Sequence, residues 1–400
     1  MDWKILILLV VYLIKTVDRV DGSCNSSLKN DFGSPSPVYL HNGGFLTPNA
    51  DGAILLRRSE TLQVACPGDK KYVVLSNGTT AFDLVDVKCV SNTTFRASKI
   101  GWVGALKDIR CNDRPWFVAE KTNATCSAGY IYRVGYKIRS EFYKLYEACF
   151  DKESLTTRYV KHELLPTSFI NQIERRPSFI EGDMFPKVRM SELYKVSQQR
   201  DRLETLLGPG NGDKYVSKKQ FLNRGHLAAN ADFSMLAARR ATFHYINTAP
   251  QWNRGNAGDW AALEEALRRR LKAYNSSVTV YTGTHGVSTL EDHTGRHQEL
   301  FLHTDENNNG IVPVPLYFYK LVYDPHRKLA AAFISINSLY YDSNTTDKLT
   351  FCNDICGENR NYKWLKWRAN DATTSFCCEY KEFVKEINGL PKLDVRGLFY

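Results

Sequence analysis

The sequence predicts an α+β fold: an antiparallel sheet with helices packed against it, preceded by a smaller β-rich domain held by disulfides. Three observations carry this. From about residue 135 onward, strand-like runs alternate with segments of helical periodicity, separated by short turns. Before that, the apolar runs are short and interrupted by Pro-Gly, Asn-Gly and other glycine-rich breaks. The cysteines fall into two groups. Cys24, Cys66, Cys89, Cys111, Cys126 and Cys149 come early, and Cys352, Cys356, Cys377 and Cys378 come late.

At 400 residues the chain has room for two domains, and 43% hydrophobic with 12% aromatic residues excludes a disordered one. Residues 1–22 read as a secretory signal. Lys4 precedes the apolar run Ile5–Ile14, which is too short to span a bilayer, and Val20-Asp21-Gly22 suits cleavage before Ser23. No later segment is long and apolar enough to cross a membrane, so no stable membrane association is expected. Sequons at Asn25, Asn77, Asn92, Asn123, Asn275 and Asn344 agree with a secreted, extracellular glycoprotein. In that compartment the ten cysteines should form disulfides, and the spacing leaves their pairing open. Cys352-x3-Cys356 with Cys377-Cys378 also has the outline of a zinc site, a reading that secretion disfavours.

Residues 23–135 read as the β-rich, glycosylated domain, with strands expected at Ala53–Leu56, Tyr72–Leu75 and Phe82–Val90. Residues 136–400 read as the second domain. Tyr130–Phe150 alternates apolar and polar residues across the boundary, where Cys149 is placed to tie the two parts together. Arg158–Leu164 is a strand, and Ser234–Tyr245 and Asp259–Tyr274 are helices. The second carries an apolar stripe of Leu263, Leu267 and Leu271, with Trp260, Glu264 and Arg268 on an adjacent row. Val278–Thr282 and Leu316–Tyr323 are strands, and Leu329–Ile336 is the hairpin partner of the latter.

The chemistry concentrates in Asn223-Arg224-Gly225-His226-Leu227, Asn247-x3-Gln251 and Asn256-x3-Trp260-x3-Glu264-x3-Arg268. Hydrolysis of a phosphodiester needs a base for the attacking water, neutralisation of the phosphate and stabilisation of the leaving oxygen. A histidine that is neutral near pH 7 suits the first task. Asn256 suits an N-cap, or the neutral oxygen ligand of a magnesium ion that keeps most of its water. Glu264 and Arg268 suit an i,i+4 surface ion pair, or a carboxylate on metal-bound water beside an arginine near the phosphate. The formal charge of +10 survives removal of residues 1–22, because Lys4, Lys15 and Arg19 cancel Asp2, Asp18 and Asp21. Such a chain tends to meet polyanions. A second metal reading uses His293-x3-His297 with His285 and His303, but no third ligand spacing accompanies it.

This set closely resembles the signature of the DNA/RNA non-specific endonucleases, the Serratia nuclease and endonuclease G family, and is similar to secreted arthropod nucleases of gut or saliva. Val280-Tyr281-Thr282-Gly283 and Val312-Pro313-Val314-Pro315-x2-Phe318-Tyr319-Lys320 look like the family's later strands. The resemblance implies a ββα-metal nuclease domain and Mg2+-dependent cleavage of DNA and RNA to 5′-phosphates, with Mn2+ as an alternative ion. It implies His226 as general base and Asn256 as the direct metal ligand, with Arg224, Glu264 and Arg268 in the catalytic set. An upstream arginine on the phosphate falls in Arg175-Arg176-Pro177, and Arg176 is favoured. Asn223, Asn247, Gln251, Arg239 and Arg240 are expected to bind substrate, and Lys218-Lys219 and Arg269-Arg270 could extend the basic surface. The sequence departs at Asn223, where the family has aspartate. That change keeps the shape and removes a charge. The runner-up reading is therefore a protein of this fold that grips nucleic acid and cuts weakly. A third class is a cysteine-rich interaction protein acting through its first domain.

Overall fold

The computed structural model describes residues 23–357, 359–368 and 373–400; the leader expected over 1–22 lies outside them. The chain divides into two compact units. The first takes the described residues through Trp116, together with Ile138–Glu141 and Ile170–Ile173, and the second takes the remainder. The boundary expected near residue 135 therefore falls close to Trp116. The reason is that Val118–Cys126 and Gly129–Ile138 pair with each other as the first strands of the second unit's sheet.

In the first unit, Trp102–Gly104, Thr94–Ala97, Leu84–Ser91, Thr61–Ala65, Val38–His41 and Gly44–Phe45 lie side by side in that order. Alternation sets the inward face: Val85, Val87 and Cys89 are buried, whereas Asp86 and Lys88 between them are exposed. Cys24–Cys89 and Cys66–Cys111 are disulfides, the usual reinforcement where a core is small. The Ala53–Leu56 run is a strand paired with Cys24–Ser27.

The second unit is built on a sheet that has nine strands among the described residues. Its order is Val118–Cys126, Gly129–Ile138, Glu141–Asp151, Thr156–Leu164, Val278–His285, Tyr317–Asp324, Leu329–Ile336 and Ser375–Cys378, with Gly397–Leu398 pairing in parallel to Leu329–Ile336. Tyr130–Phe150 is thus a hairpin of two long strands. Cys149 pairs with Cys126 inside this unit, so it does not tie the two domains together. Cys352–Cys378 and Cys356–Cys377 close the C-terminal part and leave no thiolate for zinc.

Both faces of this sheet are covered, with side chains alternating between them. Val160, Leu164, Val280, Phe318, Val322 and Phe333 pack with Trp260, Leu263, Leu267 and Leu271. Tyr159, Tyr281, Tyr319, Leu321 and Ile334 pack on the other face with Phe376 and Phe383. The three leucines are at most 1% exposed, and burial of each contributes roughly 1.5–3 kcal/mol. They seat the helix Ala261–Tyr274 on the sheet. The other expected helix is shorter than its periodicity suggested, running Leu236–Ala241. Beyond it the backbone of Phe243 and Tyr245 bonds to Ile180 instead of continuing the helix. Thr242-Phe243-His244-Tyr245 is a β-branched and aromatic run with weak helix propensity.

Candidate active site

Strand Leu222–His226 pairs antiparallel with Thr248–Trp252, placing His226 opposite Thr248 and Asn223 opposite Gln251. The second strand passes directly into a helical run of Asn253–Gly255, a π turn at Asn256–Trp260, and then Ala261–Tyr274. Strand, strand and helix thus present their polar residues together. Asn256 is helical (φ −60°, ψ −43°) and already inside this run, so it is not the N-cap its position suggested. The kink comes two residues later at Gly258, whose backbone is non-helical (φ −95°, ψ −115°). Single π turns of this kind concentrate at functional sites. Gly225 is required by close approach: a Cβ there would lie 2.5 Å from Gln251 Oε1 and 3.1 Å from Ala249 O.

The amide of Asn247 holds the loop after His226. It accepts from Ala228 N at 2.8 Å and donates to Ala228 O and Thr242 O, both at 2.9 Å. The residue is wholly buried and its amide is spent on these bonds, which fix the loop that follows His226. Gln251, at 2% exposure, packs under Gly225.

His226, Asn256 and Glu264 line one cleft of about 340 Å³, with Arg176, Arg239, Arg240 and Glu174 around it. The His226 ring lies 5.1 Å from that of Phe179 and 5.0 Å from that of Phe243. This aromatic burial, with the Arg176 charge added, pushes its pKa down to about 3, so the imidazole is neutral across the physiological range. Its Nε2 is buried without a hydrogen-bond partner among the described residues. Such an atom at a cleft is where a ligand or water completes the hydrogen bonding.

The cations divide into those that are paired and those that are not. Arg240 is 3% exposed and held bidentate by Glu174, and Arg239 bonds Asn230 Oδ1. Neither is a free cation for a phosphate. Arg268 reaches Asp232 at 2.8 Å and is absent from the cleft lining, so it stands behind the site. Arg269 pairs with Glu265, and Arg270 donates to the Tyr400 carbonyl at 2.7 Å. Arg176, by contrast, lines the cleft with no carboxylate partner among the described residues, its guanidinium 5.3 Å from the Phe243 ring centroid. Arg175 does not line it. An adjoining cleft of about 530 Å³ shares Arg176, Pro177 and Asn256, and adds Asn223 and Arg224. Arg224 is set among Tyr194, Phe179 and Tyr245, 5.3–5.8 Å from their centroids, and donates from Nε to the Tyr245 hydroxyl at 3.0 Å. It too lacks a carboxylate partner among the described residues. Asn223 donates to Asn253 Oδ1 at 2.6 Å, linking its strand to the start of the helical run.

Two charged groups were not singled out as site residues by sequence reasoning. Asp232 is buried, hydrogen-bonded to His162 at 3.0 Å and paired with Arg268, and despite its burial the His162 hydrogen bond and the Arg268 charge keep it well below the usual carboxylate range. Lys320 is buried mid-strand, its pKa lowered by desolvation. Its lysine, unexpected in an apolar strand, was the available signal. Glu264 is pushed up to about 7, chiefly by desolvation, with Lys320 and Arg268 opposing and Asp232 adding to the rise.

The donor set suits a hard divalent cation. Asn256 offers a half-exposed amide with no hydrogen-bond partner among the described residues, Glu264 offers a carboxylate on the same cleft, and no thiolate is present. Hard ions of this class take oxygen ligands and retain water. Elsewhere among the described residues, the one close group of candidate ligands is Asp354, Cys356 and Cys377, and its two cysteines are bonded to each other. His293, His297, His285 and His303 form no such group.

A family model described as DNA/RNA non-specific endonuclease matches residues 127–382. The chain is 30% identical over 376 residues to a salivary endonuclease of Lutzomyia longipalpis, covering 91% of this chain and 83% of the relative. It is 24% identical over 393 residues to the salivary protein Tsal2A of Glossina morsitans morsitans, covering 95% of each. A salivary endonuclease of Culex quinquefasciatus is 24% identical over 351 residues, covering 84% of this chain and 86% of the relative.

Proposed function

The chain belongs to the DNA/RNA non-specific endonuclease family, and from that premise we propose that it is a secreted, Mg2+-dependent enzyme. In this reading it cuts DNA and RNA with little regard to sequence and leaves 5′-phosphates. One observation carries the reading: a neutral histidine whose buried Nε2 has no partner among the described residues shares a cleft with an asparagine amide and an arginine that likewise have no hydrogen-bond or carboxylate partner among them. Arg176 takes the scissile phosphate, and Arg224 the backbone beside it. Contacts of this kind position a strand without reading its bases. His226 takes a proton from the attacking water at a ring nitrogen while the water oxygen bonds to phosphorus. The bond to the 3′ oxygen breaks, and that oxygen leaves with a proton from solvent. Asn256 would hold the cation directly and Glu264 through hydrogen bonds to its water. When bound, the ion supplies positive charge that stabilises the phosphate and the departing oxygen.

A second reading, tight binding with weak cutting, draws on Asn223. Its link to Asn253 is between two neutral amides, where an aspartate would add a charge-assisted bond. The salivary names of the relatives, with the predicted leader and sequons, support export. The test mixes the secreted glycoprotein with supercoiled plasmid and structured RNA, in Mg2+ and in EDTA, beside His226→Ala. Metal-dependent cutting that His226→Ala abolishes is expected. Salt-sensitive gel shifts with only trace cutting would favour the second reading, and neither cutting nor binding would overturn both.

A further inference from the structure

Two of the chain stretches that line the cleft are joined by a buried carboxylate that the reaction above leaves unused. Asn256 and Glu264 come from the helical run that continues strand Thr248–Trp252. Ala229, Asn230 and Ala231 come from the loop after His226. Asp232 follows them directly, 5% exposed, at the end of the short helix Asn230–Asp232. Both of its carboxylate oxygens are engaged. Oδ1 accepts from the Arg268 guanidinium at 2.8 Å, and Oδ2 meets His162 Nε2 at 3.0 Å. An ionised carboxylate only accepts, so His162 Nε2 carries the hydrogen. His162 is 3% exposed on strand Thr156–Leu164 of the large sheet, and Arg268 stands one turn after Glu264 on helix Ala261–Tyr274. One side chain thus ties sheet, loop and helix together.

The loop is held at both ends of its lining residues. Asn247 bonds the N–H and carbonyl of Ala228 at one end, and Asp232 makes its two bonds at the other. Between them, Asn230 bonds Arg239 of helix Leu236–Ala241. The Asp232 end is the one that reaches the helix of Glu264. We propose that Asp232 is a positioning residue for phosphodiester cleavage: clamped between His162 and Arg268, it fixes the loop that follows His226 against the helix that carries Glu264. Arg268 then acts on the loop through Asp232 and not on the phosphate. A buried carboxylate is tolerated there because both partners are in place, and removing either leaves a buried group unpaired. Misplacement of reacting groups by about 1 Å, from a change far from the chemistry, is enough to cost about a hundredfold in rate.

The inference rests on the nuclease reading. A wild-type chain that does not cut sinks that reading, whereas a cutting wild type beside unaffected variants sinks only the clamp. The test measures kcat and KM on plasmid, with thermal melts, for Asp232→Asn, Arg268→Gln, their double variant, His162→Leu and His162→Gln. In Asp232→Asn, which keeps the shape and loses the charge, kcat per folded molecule should fall about ten- to a hundredfold at little change in KM. The double variant should be no slower than the slower single one, because the two residues act as a unit. His162→Gln presents an amide N–H in place of the ring N–H, and should recover most of the rate that His162→Leu loses. Losses that multiply in the double variant, or a raised KM at unchanged kcat in Arg268→Gln, would mean that Arg268 meets the phosphate itself and overturn the proposal. Variants that melt earlier yet turn over at the wild-type rate reduce the clamp to stability alone and overturn it equally. If Asp232→Asn does not fold, the other single variants decide: a wild-type kcat in Arg268→Gln, or His162→Gln as slow as His162→Leu, overturns it.

Discussion

The acid limb of kcat/KM should report Glu264, not His226. A histidine base ordinarily sets that limb near 6.5, but aromatic burial and Arg176 hold His226 down to about 3. It therefore remains a base as pH falls through 6.5. Glu264 moves the other way, from an ordinary 4.5 up to about 7, because the helix carries it into a desolvated site. Its working form is the carboxylate, so activity is gained as pH rises through about 7 and lost below it. With that value, about a tenth of Glu264 is ionised at pH 6 and about a hundredth at pH 5, so kcat/KM should drop roughly tenfold per unit. A carboxylate at its ordinary value would give a flat profile down to about pH 5. The assay is initial rate on plasmid at subsaturating substrate, pH 5 to 9, at fixed Mg2+. Cation binding favours the ionised carboxylate, so by linkage the limb should shift downward as Mg2+ is raised. In Glu264→Gln the residual rate should lose the limb altogether. A limb that stays near 6.5 at every Mg2+ concentration and persists in Glu264→Gln would refute the reasoning.

Three further outcomes follow from the geometry. Arg176→Ala should lower kcat/KM on DNA and RNA alike by roughly ten- to a hundredfold, the worth of a charge-assisted phosphate contact of about 1.5–3 kcal/mol. Arg175→Ala, outside the cleft, should stay near wild type in the same assay. Asn223→Asp turns the amide link to Asn253 into a charge-assisted one, and cutting should rise by up to about a hundredfold; an unchanged rate removes the idea that Asn223 attenuates catalysis. Leu267→Ala removes a side chain that is 1% exposed between the long helix and the sheet. It should cost about 2–5 kcal/mol, read from the urea transition followed by tryptophan fluorescence.

How legible the molecule was depended on which residues carried the pattern. Leu263, Leu267 and Leu271 announced their helix and its buried face, because the core selects the period, and Leu329–Ile336 pairs antiparallel with Tyr317–Asp324 as the expected hairpin partner. The helix expected through Tyr245 stopped at Ala241 because its end was decided by Ile180, more than fifty residues upstream, and no local pattern encodes that bond. The site shows the same divide. His226, Asn256 and Glu264 are brought together by one short stretch of chain, and their spacing held the information. Spacing did not reveal the work of each polar group. Asn247 lies in the same motif, yet its amide is spent on the backbone of Ala228 and Thr242. Arg239, Arg240 and Arg268 read as one basic surface until Asn230, Glu174 and Asp232 are seen to hold them. A cation's availability is a property of its partners, and those lie 9, 36 and 66 residues away along the chain, at Asn230, Asp232 and Glu174. That leaves Arg176 and Arg224, the two cleft arginines without a carboxylate partner among the described residues, as the place where a phosphate backbone meets the least competition.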